Sequence, residues 1–183
     1  MNEISKLPVA EKALDKVRAL FNVHDPYSCD WKEIEPLQME AIRELFSERR
    51  VQIRILDQRA KEAGIEDIAS IEDVIPLLFA DQTYKSYPEI FVKKNQWTMM
   101  NRWLDTLSTN RVDPSIDVSG CEDTEEWMQR LREHGHHLVV SGGTSGKNSF
   151  LNRTSADVQT ACDSKVKNVG ITMGIEPGAK DRP

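Results

Sequence analysis

The sequence predicts a helix-rich α/β fold in which amino-terminal helices lead into the start of a parallel sheet. Three observations predict it. Apolar residues recur at helical spacing over most of the chain before residue 135. A short apolar run, His137-Leu138-Val139-Val140, has the length of a strand and enters the loop Ser141-Gly142-Gly143-Thr144-Ser145-Gly146-Lys147. A second apolar run, Val169 to Met173, has strand length, although a doubly wound domain needs several parallel strands with crossover helices, so the pattern is that of the front portion of such a domain.

Taken in order, Pro8 to Asn22 reads as a first helix. Pro8 suits its opening turn, and Val9, Ala13, Val17, Leu20 and Phe21 lie near one face. His24 to Asp30 breaks it with Pro26 and polar turn formers. A long second helix runs from about Pro36 to Ala63, carries Ile42, Leu45, Phe46, Ile53 and Leu56, and stops at Gly64. Within it Val51 to Ile55 alternates as a strand does, the one stretch that competes with a continuous helix.

Ser70 with Asp73 forms a capping box for a short helix broken by Pro76. Tyr84 to Pro88 is extended or turning, because residues before proline avoid the helical region. Asn95 to Leu107 is a helix with Trp97, Met100, Trp103, Leu104 and Leu107 on one side. Asn110 to Gly120 reads as a linker. Asp123 or Thr124 caps a further helix, with Glu125 and Glu126 in its first turn, that ends at Gly135. His137 to Ser141 is the firmest strand, Ser155 to Val166 is helical, and Val169 to Met173 is a second strand.

Composition narrows the function classes. The chain has 183 residues, enough for one domain with a core, and its net charge is −6. An acidic balance argues against nonspecific nucleic-acid binding, which needs clustered Lys and Arg on one face. Arg43, Arg49, Arg50, Arg54 and Arg59 are interleaved with Glu40, Glu44, Glu48 and Asp57, the pattern of a solvated helix laced with ion pairs. Cys29, Cys121 and Cys162 are far apart and include no CxxC pair, which argues against a disulfide framework or structural zinc. No run approaches a membrane span, and MNEISKLPVAEK lacks the regions of a secretory signal. The expectation is a soluble cytoplasmic protein.

The loop after Val140 carries the chemistry. Glycines let a backbone turn sharply and approach a ligand, while hydroxyls, amides and an ammonium are donors that phosphate oxygens accept. Against the Walker pattern G-x-x-x-x-G-K-[ST], Gly146-Lys147 fits, but Ser141 and Asn148 stand where a glycine and a hydroxyl belong. The dinucleotide fingerprint fails because Gly142 and Gly143 are adjacent. The loop resembles the phosphate loop of adenylate-forming enzymes, roughly Ser/Thr-Ser-Gly-Thr-Ser/Thr-Gly-Lys-Pro. The match runs through Ser141, Gly143, Thr144, Ser145, Gly146 and Lys147, with Gly142 for a hydroxyl and Asn148 for the proline.

Other segments carry the same resemblance. QMEAIRELFSERRVQIRILDQRAKEAGI, from Gln38 to Ile65, and the following Glu66 to Pro76 resemble the amino-terminal part of phenylacetate–coenzyme A ligases. Asp81 to Pro88 and Trp103 to Thr109 resemble the fatty-acyl-protein synthetases of bacterial luminescence, a group of the same superfamily. The resemblance spans roughly residues 36 to 152. It implies an incomplete adenylate-forming large domain: a helical amino-terminal region over 1–135, a strand, phosphate-binding loop and following helix and strand over 136–175, and a frayed or cut tail over 176–183.

It also implies a function. The chain would be the amino-terminal part of an ATP-dependent ligase that joins a fatty or aryl carboxylic acid to the α-phosphate of ATP and expels pyrophosphate. Ser141, Gly142, Gly143, Thr144, Ser145, Gly146 and Lys147 would hold the nucleotide. Thr144 and Ser145 would donate hydroxyl bonds to the β- and γ-phosphates. Gly143 and Gly146 would let amides approach, and Lys147 would add charge near the leaving pyrophosphate. A magnesium ion would bridge the phosphates. The acyl acceptor would be coenzyme A or a protein thiol. The family's adenine segment, ribose aspartate and carboxy-terminal catalytic lysine have no counterpart here, so this chain alone would not complete the reaction.

Several constellations are read more plainly. His134, His136 and His137 lack further ligands at zinc spacing and read as solvated turn residues. Trp97, Trp103 and Trp127 with Met99, Met100 and Met128 read as core before acyl pocket. Cys121 lacks a nearby base and reads as an inert thiol. Tyr84, Lys85 and Tyr87 form either a docking surface or a structural turn. Two other functions stand beside the ligase: a non-catalytic helical binding module whose loop is a scaffold turn, and a phosphate-loop nucleotidase, disfavoured by the two failed positions.

Overall fold

The computed structural model describes residues 12–20, 30–141 and 146–174. The described chain is helix-rich and carries one small antiparallel sheet. The ends of the expected first helix, the turn 24–29, the loop residues Gly142, Gly143, Thr144 and Ser145, and the tail lie outside the described residues.

Helix α1 (Ala13–Leu20) lies on α2 (Trp31–Arg50). Both carboxylate oxygens of Glu44, on α2, accept the first amides of α1, from Ala13 at 2.9 Å and Leu14 at 3.0 Å. An acid at a helix N-terminus is favoured by the dipole, and these bonds hold the Glu44 carboxyl below its ordinary range. Helix α2 starts at Trp31, before the expected Pro36. Asp30 caps it by accepting the Lys32 amide at 3.0 Å, and Pro36 is carried inside the helix.

The single helix expected over 36–63 is two helices, divided where Val51 to Ile55 alternates. Helix α2 ends at Arg50, Ile53 is extended, and α3 (Arg54–Ala63) follows, stopped by Gly64 with φ +69. The arginines do more than line a solvated face. Arg43 donates to the carbonyls of Ile68 and Ala69, Arg50 to those of Ile65 and Glu66, and Arg59 to that of Pro76. A guanidinium presents several donors in a fixed fork, so each can bridge helix and loop. The clasped segment ends in the 3₁₀ turn Ile71–Leu77, opened by the Ser70–Asp73 capping box.

A second 3₁₀ turn, Asp81–Lys85, leads through Tyr87 to the short α4 (Glu89–Lys93) and to α5 (Trp97–Leu104). The segment 110–120, expected as a linker, packs into the core through three side chains. Val112, Ile116 and Val118, with the adjoining Cys121, are buried in the main cluster. Its backbone is satisfied by side chains in place of a ladder: Asp105 accepts the Val112 amide, Asp113 that of Ser115 and Asp117 that of Ser119. Asp123 caps α6 (Thr124–Glu133) by accepting the Glu126 amide at 2.9 Å.

Then comes β1 (His136–Val140), paired antiparallel with β2 (Phe150–Thr154). The sheet is where expectation and structure differ. The described strands form a hairpin, and the expected parallel partner, Val169 to Met173, is instead the end of a single helix, α7 (Ser155–Met173). Thr154 and Asp157 cap that helix reciprocally, so its first turn is fixed as β2 ends. Once started, the helix runs through the apolar residues that resembled a strand.

Two clusters hold the described residues together. The larger joins Tyr87, α5, the 112–121 segment, α6 and Phe150. Trp97 stacks on Trp127 at 5.3 Å between ring centroids, and the Trp127 indole donates to Asn101 at 2.8 Å. The smaller cluster is Phe46, Ala60, Ile68 and Leu77. Among the described residues no helix is long and apolar enough to cross a membrane.

Candidate functional site

The glycine-rich segment lies in sequence between β1 and β2, and the strands fix its foot. Val140 faces Phe150 in register. One step further, the Ser141 amide donates to the Ser149 carbonyl at 3.2 Å, and the Ser149 amide donates to the Ser141 hydroxyl oxygen at 3.0 Å. The backbone therefore leaves the ladder at Ser141 and rejoins it at Ser149. The Ser141 hydroxyl is an acceptor here and keeps its own O–H to donate.

The outgoing arm is anchored in the core. The Lys147 ammonium donates to the Tyr87 carbonyl and sits 4.3 Å from the centroid of the Tyr87 ring. The Tyr87 hydroxyl donates to the Asn148 carbonyl at 2.9 Å. Tyr87 is 4% exposed and lies edge-on to Trp103 at 5.0 Å and tilted against Phe150 at 5.5 Å. Burial pushes its phenol above the ordinary range, and the Glu89 charge acts the same way, so the hydroxyl stays a donor. Of the three residues read as docking surface or turn, Tyr87 is thus a buried anchor of the loop. Tyr84 is partly buried against the same cluster.

Gly146, just before the anchored lysine, has φ +81, and nothing lies within 4 Å of where a Cβ would project. Only glycine adopts that backbone freely, so the requirement is conformational. Beside the loop, a groove of about 560 Å³ runs along α6, lined by Glu125, Met128, Gln129, Arg132, Val140 and Asn148. Its floor is apolar at Met128 and Val140, and the Arg132 guanidinium bonds Gln129 at 2.8 Å.

Of the nucleotide-holding residues expected from the sequence, Ser141, Gly146 and Lys147 are described: Ser141 is bonded to Ser149 at the foot of the loop, and Lys147 lies on Tyr87. Gly142, Gly143, Thr144 and Ser145 lie outside the described residues. The local pattern did not show Tyr87 as the loop's anchor, because it stands 61 residues before Asn148 and 60 before Lys147.

The three histidines have three different settings. His134 is exposed and bonds the Arg130 carbonyl at 2.9 Å, and His137 meets the Ser155 hydroxyl at 3.0 Å. His136 is buried, which corrects its reading as a solvated turn residue. The signal was present: His136, Leu138 and Val140 alternate on the inward face of β1. Trp97, Trp103, Trp127 and Met100 are core, while Met99 is exposed and Met128 faces the groove. Cys121 is buried, and that burial raises its thiol pKa, the opposite of what a nucleophile needs. Among the described residues no three His, Cys, Asp or Glu are grouped to hold a metal ion. Comparison of the chain with family models, with curated proteins and with solved structures finds no match in any of the three.

Proposed function

We propose that this chain is the amino-terminal part of an ATP-dependent, AMP-forming acyl-adenylating ligase or synthetase of the adenylate-forming superfamily. The observation that carries the reading is the loop's construction: a clamped foot at Ser141 and Ser149, a left-handed glycine at 146, an ammonium at 147, and an open groove alongside. A hydroxyl donor, a backbone free of Cβ and a cation together form the donor set of a polyphosphate site. The sequence adds Thr144 and Ser145 as hydroxyl donors and Gly142 and Gly143 as further points of close approach. A magnesium ion would bridge the phosphates it accompanies.

In the whole enzyme a carboxylate oxygen of a fatty or aryl acid would bond to the α-phosphorus while the α–β bridging P–O bond breaks and pyrophosphate leaves. The loop's part is to hold the leaving phosphates and offset their growing charge. The acyl group would then pass to coenzyme A or to an acyl-accepting protein.

A second reading has an observation of its own. Lys147 is turned onto Tyr87, which suits a scaffold turn in a non-catalytic helical binding module. Calorimetric titration of the chain with magnesium–ATP separates the two. The ligase reading expects binding in the millimolar range or tighter, weakened about ten-fold by Thr144→Ala or Lys147→Met, as loss of a charge-assisted bond implies. Absence of heat, or binding indifferent to both substitutions, removes the loop from nucleotide chemistry and leaves the module.

A further inference from the structure

One residue holds two consecutive residues of the loop. Tyr87 takes the Lys147 ammonium on its carbonyl and ring face, and its hydroxyl holds the Asn148 carbonyl. Lys147 could not fix the arm alone, since a lysine stem is long and freely rotating. Tyr87 can, because its ring is wedged between Trp103 and Phe150, and Phe150 sits in β2 directly opposite Val140. The preceding residue is tied as well, with the Ser86 hydroxyl accepting the Trp103 indole N–H at 3.0 Å. Through Tyr87 the aromatic core thus grips the arm where it re-enters β2. Ordering a cation and its backbone in advance lowers the entropy cost of binding.

We propose that Tyr87 is the positioning residue of this loop: acting through Lys147 and Asn148, it sets the outgoing arm and thereby the affinity for a polyphosphate ligand. The ligand class rests on the nucleotide reading above, whereas the clamp itself does not.

The bond after Lys147 is a trypsin site inside the clamp, and the bond after Arg132, exposed on α6, is an internal reference. Tyr87→Phe keeps the ring under Lys147 and removes only the hydrogen bond to Asn148. In the full chain it should speed cleavage after Lys147 roughly five-fold, the worth of one hydrogen bond, with cleavage after Arg132 unchanged. The same substitution should weaken magnesium–ATP binding by a similar factor. Tyr87→Leu should open Lys147 further; parallel acceleration at Arg132 would mark it as unfolding, leaving Tyr87→Phe to decide. Unchanged cleavage after Lys147 in Tyr87→Phe overturns the inference whatever the wild type does with ATP. If Tyr87→Phe opens Lys147 but wild type gives no heat with ATP, the clamp stands and the nucleotide reading falls.

Discussion

His136 shows what a single buried ring does to the hairpin. Its Nδ1 lies 3.2 Å from Asn152 Nδ2, which also donates to the Asn110 carbonyl at 2.8 Å, while Asn110 Nδ2 reaches Asn152 Oδ1 at 3.3 Å. An amide nitrogen only donates, so the imidazole accepts and carries its proton on Nε2. Burial is the largest cause and holds the ring below its ordinary pKa of 6.5. The unfolded chain therefore takes up a proton near pH 6.5 that the folded chain refuses. Stability rises with pH in this window and is lost as pH falls below it. The urea midpoint of the wild type should drop between about pH 7 and about pH 5.5, and that of His136→Asn should drop less. Equal slopes in the two proteins would refute the assignment.

Local signals at the helix ends were legible because they depend on neighbours in sequence. Gly64 was readable as a stop, Ser70–Asp73 as a box and Asp123 as a cap, and each does that work. At Gly64 the Ile65 amide closes onto the Ala60 carbonyl at 2.8 Å, and no atom lies within 4 Å of a Cβ built there. The cost of a side chain is thus purely that of a left-handed backbone. Gly64→Ala should destabilise by about 1–2 kcal/mol and Gly64→Asn by less, read from urea unfolding; an Ala variant as stable as wild type would contradict this. What could not be read locally depends on distant partners. Strand β2 hides because Asn152, a polar residue, faces inward, and its reason is the Asn110 and His136 network. The 110–120 segment looked like a linker because its apolar residues follow no period, yet Asp105, Asp113 and Asp117 let it pack without a ladder. The candidate loop was legible as composition, and its clamp was not, since Tyr87 reaches it across the fold.

At the scale of the whole molecule, the two clusters are unequal, and that decides which part opens first. Among the described residues the larger gathers 13 buried residues from Tyr87 to Phe150, whereas the smaller has Phe46, Ala60, Ile68 and Leu77. Helix α3 joins them, with Ile55 packed on the large cluster and Leu56 on the small one. Local opening follows buried apolar contact, so α2 and the 71–77 turn should exchange their amides through openings of lower free energy than β1, β2 and α6. Ile68 is 1% exposed, and Ile68→Ala should lower the opening free energy of the first set by about 2–5 kcal/mol. The second set should keep its value, because distant substitutions with no shared partners act independently. The loop is rooted in the large cluster through Tyr87 and Phe150, so trypsin cleavage after Lys147 should also be unmoved by Ile68→Ala. Native-state hydrogen exchange on the two proteins reads both sets at once. A uniform loss across α2, α6 and the hairpin would mean that the clusters melt as one unit, and that the loop's anchor depends on the helices before it.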